Sequence, residues 1–253
     1  QPDFKDEELN VYITKVWEVF KRAAYVQELL SPQRNSLTVN AIVAVIVVVF
    51  LFTDAYRIPQ LFPSIHPFGY TVNDLAGLSG LIFQKFELNP ALFLSQTEYY
   101  RLFSYLFLHA HETHMIFNVI GLLWFGRIAE NIFGTSRFFA IYFVGGILSG
   151  VAHALMSTVP AVGASGAVMA VFSASAMGIF RLKNEIPEPI WKFKLSMLSG
   201  LALFQIILDQ MIPHVAVFAH LGGLLAGVAF GMLLSIRSPN SDEQEINGQY
   251  VSG

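Results

Sequence analysis

Apolar residues run almost unbroken from Leu37 to Thr53 (LTVNAIVAVIVVVFLFT), and five similar runs follow: His114 to Gly134, Phe138 to Met156, Ala164 to Phe180, Leu195 to Met211 and Val215 to Ile236. A helix needs roughly 20 apolar residues to cross a hydrocarbon core about 30 Å thick. The pattern therefore predicts an all-α membrane protein with six transmembrane helices. The segment between the first two runs, Asp54 to Leu108, is long yet rich in Phe, Leu and Pro, and is expected to pack on or partly into the outer leaflet. Ahead of the first run, Asp6 to Leu30 spaces Leu9, Ile13, Val16, Trp17 and Phe20 near the helical period, the mark of an amphipathic helix that lies either on lipid or in solvent. The expected organisation is a cytoplasmic juxtamembrane segment at 1–36, a six-span domain at 37–237, and a polar, disordered tail at 238–253.

Composition agrees with the pattern. The chain is 54% hydrophobic and 13% charged, whereas soluble domains run near 45–50% apolar and about 25% charged. A net charge of −3 with no basic stripe gives no reason to expect a nucleic-acid partner. The absence of cysteine excludes disulfides, thiolate-held metals and thiol catalysis. The polar start, Asp3 to Glu8, does not read as a cleavable signal peptide. Lysine and arginine decide sidedness. Of the 15, those before the first run, Arg127, Arg137, Arg181, Lys183, Lys192, Lys194 and Arg237 fall on one side, leaving Arg57, Lys85 and Arg101 in the long first loop. Both termini are expected in the cytoplasm, and the bilayer is read as a bacterial cell (inner) membrane.

The chemistry begins with TVPAVGASGAVMAVF, where Ser165 stands between glycines at the head of an apolar run. With Arg181 marking the cytoplasmic boundary, Ser165 lies about 24 Å up the helix at ~1.5 Å per residue, below an outer surface about 30 Å away. The same reckoning from Arg237 puts His220 at the same depth. Gly166, Ala170, Ala174 and Gly178 form one small-residue stripe, and Gly223, Gly227 and Gly231 form another. Stripes of this kind let membrane helices approach closely, and packing them together brings the Ser165 hydroxyl to the His220 imidazole. A serine becomes a nucleophile when such a base takes its proton. In HAHETHMIFN, His114 and Asn118 are four apart on one helical face. With the Ser165 backbone N–H they form a candidate donor set for an oxyanion. His109 reads as a brace for the first loop; His66, His153, His214 and Asp209 read as local hydrogen-bonding residues. His111-Glu112-Thr113-His114 lacks the H-E-x-x-H spacing of a metal site, and neither metal nor cofactor is expected.

These residues together resemble the rhomboid family of intramembrane serine proteases. The match rests on Gly163-Ala164-Ser165-Gly166 as G-x-S-G, on AHLGGLLAG from Ala219 through Gly223 to Gly227, and on His109, His114 and Asn118 as H-x4-H-x3-N. Gly126, Glu130 and Gly134 fit as well. Tyr100-Arg101 stands where the family usually has Trp-Arg. The resemblance covers Tyr99 to Ile236. It implies a rhomboid-like six-helix bundle with a Ser165–His220 dyad and no third acid. It also implies oxyanion donors at His114, Asn118 and the backbone, and substrates that are transmembrane proteins cut near the outer face. The alternatives are an inactive rhomboid-like protein that binds membrane clients, and a channel or transporter; the clustering of polar groups at one outer level speaks against a pathway through the membrane.

Overall fold

The computed structural model describes residues 6–31, 36–54, 72–211 and 215–237. His66, His214 and the expected polar tail at 238–253 lie outside them. Among the described residues every regular element is helical, and the one extended pairing is an isolated antiparallel bridge between Leu88 and Ala161.

In chain order the helices are α1 (Asp6–Leu29), α2 (Leu37–Thr53), α3 (Val72–Phe86), α4 (Pro90–Gln96), α5 (Arg101–Ser104), α6 (Glu112–Phe133), α7 (Thr135–Met156), α8 (Ser165–Arg181), α9 (Glu188–Met211) and α10 (Val217–Leu233). Three of them, α6, α7 and α9, are long and apolar enough to cross a membrane. The apolar helices α2, α8 and α10 are shorter, at 17 residues each. The apolar runs thus reappear as helices, with α9 starting at Glu188, a turn or more ahead of the expected Leu195. Both α6 and α7 contain a wide π-type turn, at Leu122–Gly126 and Ala140–Val144.

The core is built around α8. Its side chains from Ala167 through Ala174 are almost all buried, together with Ile132, Phe133, Phe138, Ile141 and Tyr142 of α6 and α7. On one side α8 lies against α10 with no space to spare. A Cβ on Gly223 would stand 2.1 Å from the Gly166 carbonyl oxygen, and one on Gly227 would stand 2.0 Å from that of Ala170. Gly231 continues the seam against Met177 and Ala174. Gly178 departs from the expected stripe: it turns to Ile132 and Phe133 of α6, because α8 is surrounded and needs small residues on more than one face.

The N-terminal helix α1 forms as the periodicity predicts. Leu9, Ile13, Trp17 and Phe20 are exposed, while Val26, Leu29 and Leu30 are buried. Its end is fastened to the bundle by Tyr25, whose hydroxyl donates to the Arg237 carbonyl at 2.7 Å, and by Asn131, whose amide donates to the Ser31 carbonyl at 2.9 Å.

The first loop is anchored by a buried arginine. Arg101 donates to the carbonyls of Gln84 and Glu87 at 3.1 and 2.7 Å and pairs with Glu98 at 2.5 Å. Tyr100 takes the Arg101 guanidinium over its ring and donates to the Lys85 carbonyl at 3.0 Å. These bonds tie the start of α5 to the end of α3, and the Leu88–Ala161 bridge joins the turn after α3 to the loop that precedes Ser165.

Candidate active site

Ser165 opens α8 and His220 lies in the first turn of α10. Because the glycine seam sets the spacing of these two helices, it sets the separation of the two side chains as well. Ser165 Oγ lies 2.8 Å from His220 Nε2. On the far side of the imidazole, His220 Nδ1 lies 2.6 Å from Asp209 Oδ2 on α9. In the tautomer with the ring proton on Nδ1, that nitrogen donates to Asp209 and Nε2 is free to accept from the Ser165 hydroxyl. Gln205, one turn earlier on α9, donates to the other carboxylate oxygen at 2.7 Å. His220 and Asp209 are 6% and 5% exposed, which removes competing water. Asp209, read from sequence as a local hydrogen-bonding residue, bonds the imidazole across helices.

The entry to α8 is held from several directions. Gly163 sits at φ +123°, a backbone conformation that favours glycine. A Cβ there would come within 2.6 Å of the His114 ring, so glycine also makes room for that side chain. Gly163 N–H donates to the Tyr105 carbonyl at 2.9 Å. His109 accepts from the Ala164 N–H across 3.5 Å and bonds the Phe107 carbonyl through Nδ1 at 3.3 Å. It therefore links the end of the first loop to the turn that leads into Ser165. His153 donates from Nε2 to the Val159 carbonyl at 2.7 Å and steadies the same loop from α7.

The turn carrying His220 is braced too. Ser149 of α7 donates to the Ala219 carbonyl at 2.8 Å, and a Cβ on Gly166 would overlap that serine's hydroxyl at 1.8 Å. The Tyr105 hydroxyl donates to the Gly146 carbonyl at 2.7 Å. Neither Tyr105 nor Ser149 carries a signal in the sequence beyond an ordinary core residue.

Of the prospective oxyanion donors, His114 lies nearest the loop that leads into α8. His114 lies against Gly163 and stacks edge-on to His109, with ring centroids 5.1 Å apart. Asn118 is buried and gives one amide hydrogen to the His114 carbonyl at 2.9 Å; its second hydrogen and its oxygen remain for other partners. The first N–H groups of α8, Ser165 included, have no acceptor within their own helix. A cavity of about 200 Å³ lined by His153, Ser157, Val159, Val215, Val217 and Phe218 opens at the first turn of α10, just ahead of His220.

Residues 96–237 match the family model of the Rhomboid domain. The chain is 31% identical over 170 residues to RHOMBOID-like protein 1 of Arabidopsis thaliana, covering 65% of this chain and 42% of that protein. It is 34% identical over 159 residues to RHOMBOID-like protein 6, mitochondrial, of the same plant, covering 62% and 50%. It is 35% identical over 81 residues to Rhomboid protease GluP of Bacillus subtilis (strain 168), covering 32% and 16%. The chain thus spans half or less of the length of these relatives. With the matched domain spanning more than half of its residues and its apolar helices forming an integral membrane bundle, this chain belongs to the rhomboid family.

Proposed function

We propose that the chain is an intramembrane serine endopeptidase that cleaves transmembrane segments of membrane proteins near the outer membrane face. The observation that carries this reading is the Ser165 hydroxyl within hydrogen-bond reach of His220 Nε2, 2.8 Å away in a part-buried site. A hydroxyl so placed has an acceptor for its proton at the moment of attack.

The reaction follows from the geometry. Ser165 Oγ attacks the scissile carbonyl carbon as its proton passes to His220 Nε2, and the carbonyl π electrons move onto oxygen. The oxyanion is received by the Ser165 N–H, by the remaining Asn118 amide hydrogen and by His114. When the carbonyl reforms, the C–N bond breaks and His220 returns the proton to the leaving amine. Water, deprotonated by His220, then hydrolyses the acyl ester and regenerates Ser165. A regular transmembrane helix ties up its carbonyls in hydrogen bonds, so substrates are segments that unwind readily. A small residue before the cut suits the narrow approach between Gly163 and Gly166.

In this reading α2, α6, α7, α8, α9 and α10 are the six spans, and residues 37–237 form the protease unit. A 17-residue helix at ~1.5 Å per residue covers about 25 Å, within the range of roughly 17–25 residues for spanning helices, and α8 is largely enclosed by protein. Both ends lie on the cytoplasmic, lysine- and arginine-rich side. There the exposed Trp17 and Phe20 of α1 face the lipid headgroups. Relatives named from a bacterium and from a plant mitochondrion share the domain, so the reading commits to sidedness and not to one kind of membrane.

The test is covalent labelling of the purified protein with a fluorophosphonate, mapped by mass spectrometry, beside turnover of a single-span substrate in liposomes. Labelling at Ser165 and loss of both signals in Ser165→Ala are expected. Turnover retained by purified Ser165→Ala, or an unlabelled wild-type protein with no turnover, as in an inactive client-binding relative, would overturn the reading.

A further inference from the structure

We infer that Asp209 is the positioning residue of the site, holding His220 in the tautomer that accepts the Ser165 proton, and that Gln205 in turn holds Asp209. The inference rests on Ser165 and His220 acting as nucleophile and base. It adds a third group, on a different helix, to that pair.

Three observations carry it. First, the contact is short and well directed: Nδ1 to Oδ2 is 2.6 Å, and the two side chains are 8% and 3% exposed. Second, both carboxylate oxygens are occupied, one by His220 and the other by Gln205 at 2.7 Å. A buried carboxylate is tolerated only when it is paired and hydrogen-bonded, and this one is aimed so that its pairing falls on the base. Third, the helix that brings it contributes little else to the core. Of the apolar window of α9 only 6% is buried, against 44% for α6 and 50% for α7. An acid whose purpose was to bury α9 would be expected to sit among other buried contacts of that helix; Asp209 is instead one of its few buried side chains.

The chemistry of the role is specific. As the Ser165 proton arrives at Nε2, the ring becomes an imidazolium, and the neighbouring carboxylate stabilises that charge without itself taking the proton. Before that step, the Nδ1–H to Oδ2 bond excludes the alternative tautomer, in which Nε2 would carry the hydrogen and Ser165 would lose its acceptor.

Asp209→Asn separates this role from a structural tie. Asparagine keeps the shape and still bonds the ring, but its amide can donate to Nδ1 and thereby move the ring proton to Nε2. Comparable exchanges in serine proteases cost about 10⁴ in kcat. Asp209→Asn is expected to lower kcat by ~10²–10⁴ with KM little changed, and to be at least as damaging as Asp209→Ala, which leaves the ring free to choose either tautomer. A tie between helices predicts the reverse order, because asparagine replaces the contact better than alanine does. Gln205→Ala should lose less than either.

The second readout needs no turnover. In wild-type protein with ¹⁵N-labelled histidine, the His220 Nδ1–H proton should resonate far downfield. It should vanish in Asp209→Ala, and in Asp209→Asn the ring proton should move to Nε2. Unfolding temperature in micelles is recorded for each variant, and if Asp209→Asn fails to fold, Gln205→Ala and the wild-type resonance decide. Wild-type kcat in Asp209→Asn while Ser165→Ala is dead, or no downfield His220 proton in the wild type, would overturn the inference. Activity surviving in Ser165→Ala would instead remove the proposed function beneath it.

Discussion

The seam between α8 and α10 and the face of α9 hold the site in opposite ways. Along the seam, glycines bring backbone against backbone: the room for a Cβ on Gly223 is already filled by the Gly166 carbonyl oxygen, 2.1 Å away. On α9, a Cβ on Gly200 would meet nothing within 4 Å. The same residue is indispensable in one place and idle in the other. The distance between Ser165 and His220 is accordingly fixed by hard contact, which varies little because packed interiors resist deformation. Asp209 is fixed to His220 by a hydrogen bond from a helix with few packing partners. The difference teaches that the two contacts of His220 can be tuned separately, one through sterics and the other through polarity.

The largest effect should come from attacking the pair itself. Ser165→Ala and His220→Ala are each expected to abolish turnover, and the double variant should be no slower than the worse single, since members of one catalytic unit are strongly non-additive. Rates in the double variant reduced by the product of the two single effects would show that the residues act independently. A step smaller is Gly223→Ala, which alters no polar group. The added methyl cannot be accommodated beside a backbone carbonyl, so α8 and α10 must part. Overpacking of this kind costs typically 1–3 kcal/mol, and the gap opened between Ser165 and His220 should lower fluorophosphonate labelling as well. Wild-type unfolding and wild-type labelling together would mean that the seam does not set the catalytic spacing.

Much of this is legible in the amino-acid sequence. The apolar runs marked the helices because a bilayer demands long unbroken stretches, and the glycine spacing pointed to the seam because close helix approach needs small residues at regular intervals. Ser165 and His220 followed from depth and register. Asp209 did not: it stands near the C-terminal end of α9, where sequence spacing says nothing about which neighbour it faces, and its bond to His220 depends on how α9 leans on α10. Tyr105 and Ser149 were silent for a related reason. Their hydroxyls matter through the Gly146 and Ala219 carbonyls they meet, and those partners are distant in sequence. The face of Gly178 is not legible in the sequence, because a period of four cannot distinguish two neighbours of a surrounded helix.

The smallest expected effect belongs to Gly200→Ala, and it sharpens the comparison most directly because it repeats the Gly223 substitution on the loosely packed helix. Glycine within a helix is destabilising by roughly 0.5–1 kcal/mol relative to alanine through its greater freedom when unfolded. Within a bilayer the unfolded reference keeps much of its helix, since backbone groups in lipid must be satisfied internally, so the gain should fall at or below the low end of that range. With nothing within 4 Å of the new methyl, no steric penalty opposes it. Unfolding in mild micelles should therefore be unchanged or slightly later than wild type, and turnover of the membrane substrate should stay near wild type, because the rest of α9 still presents Asp209 to His220. Loss of stability comparable to that of Gly223→Ala would mean that α9 packs as tightly as the seam, and the contrast between the two helices would fail.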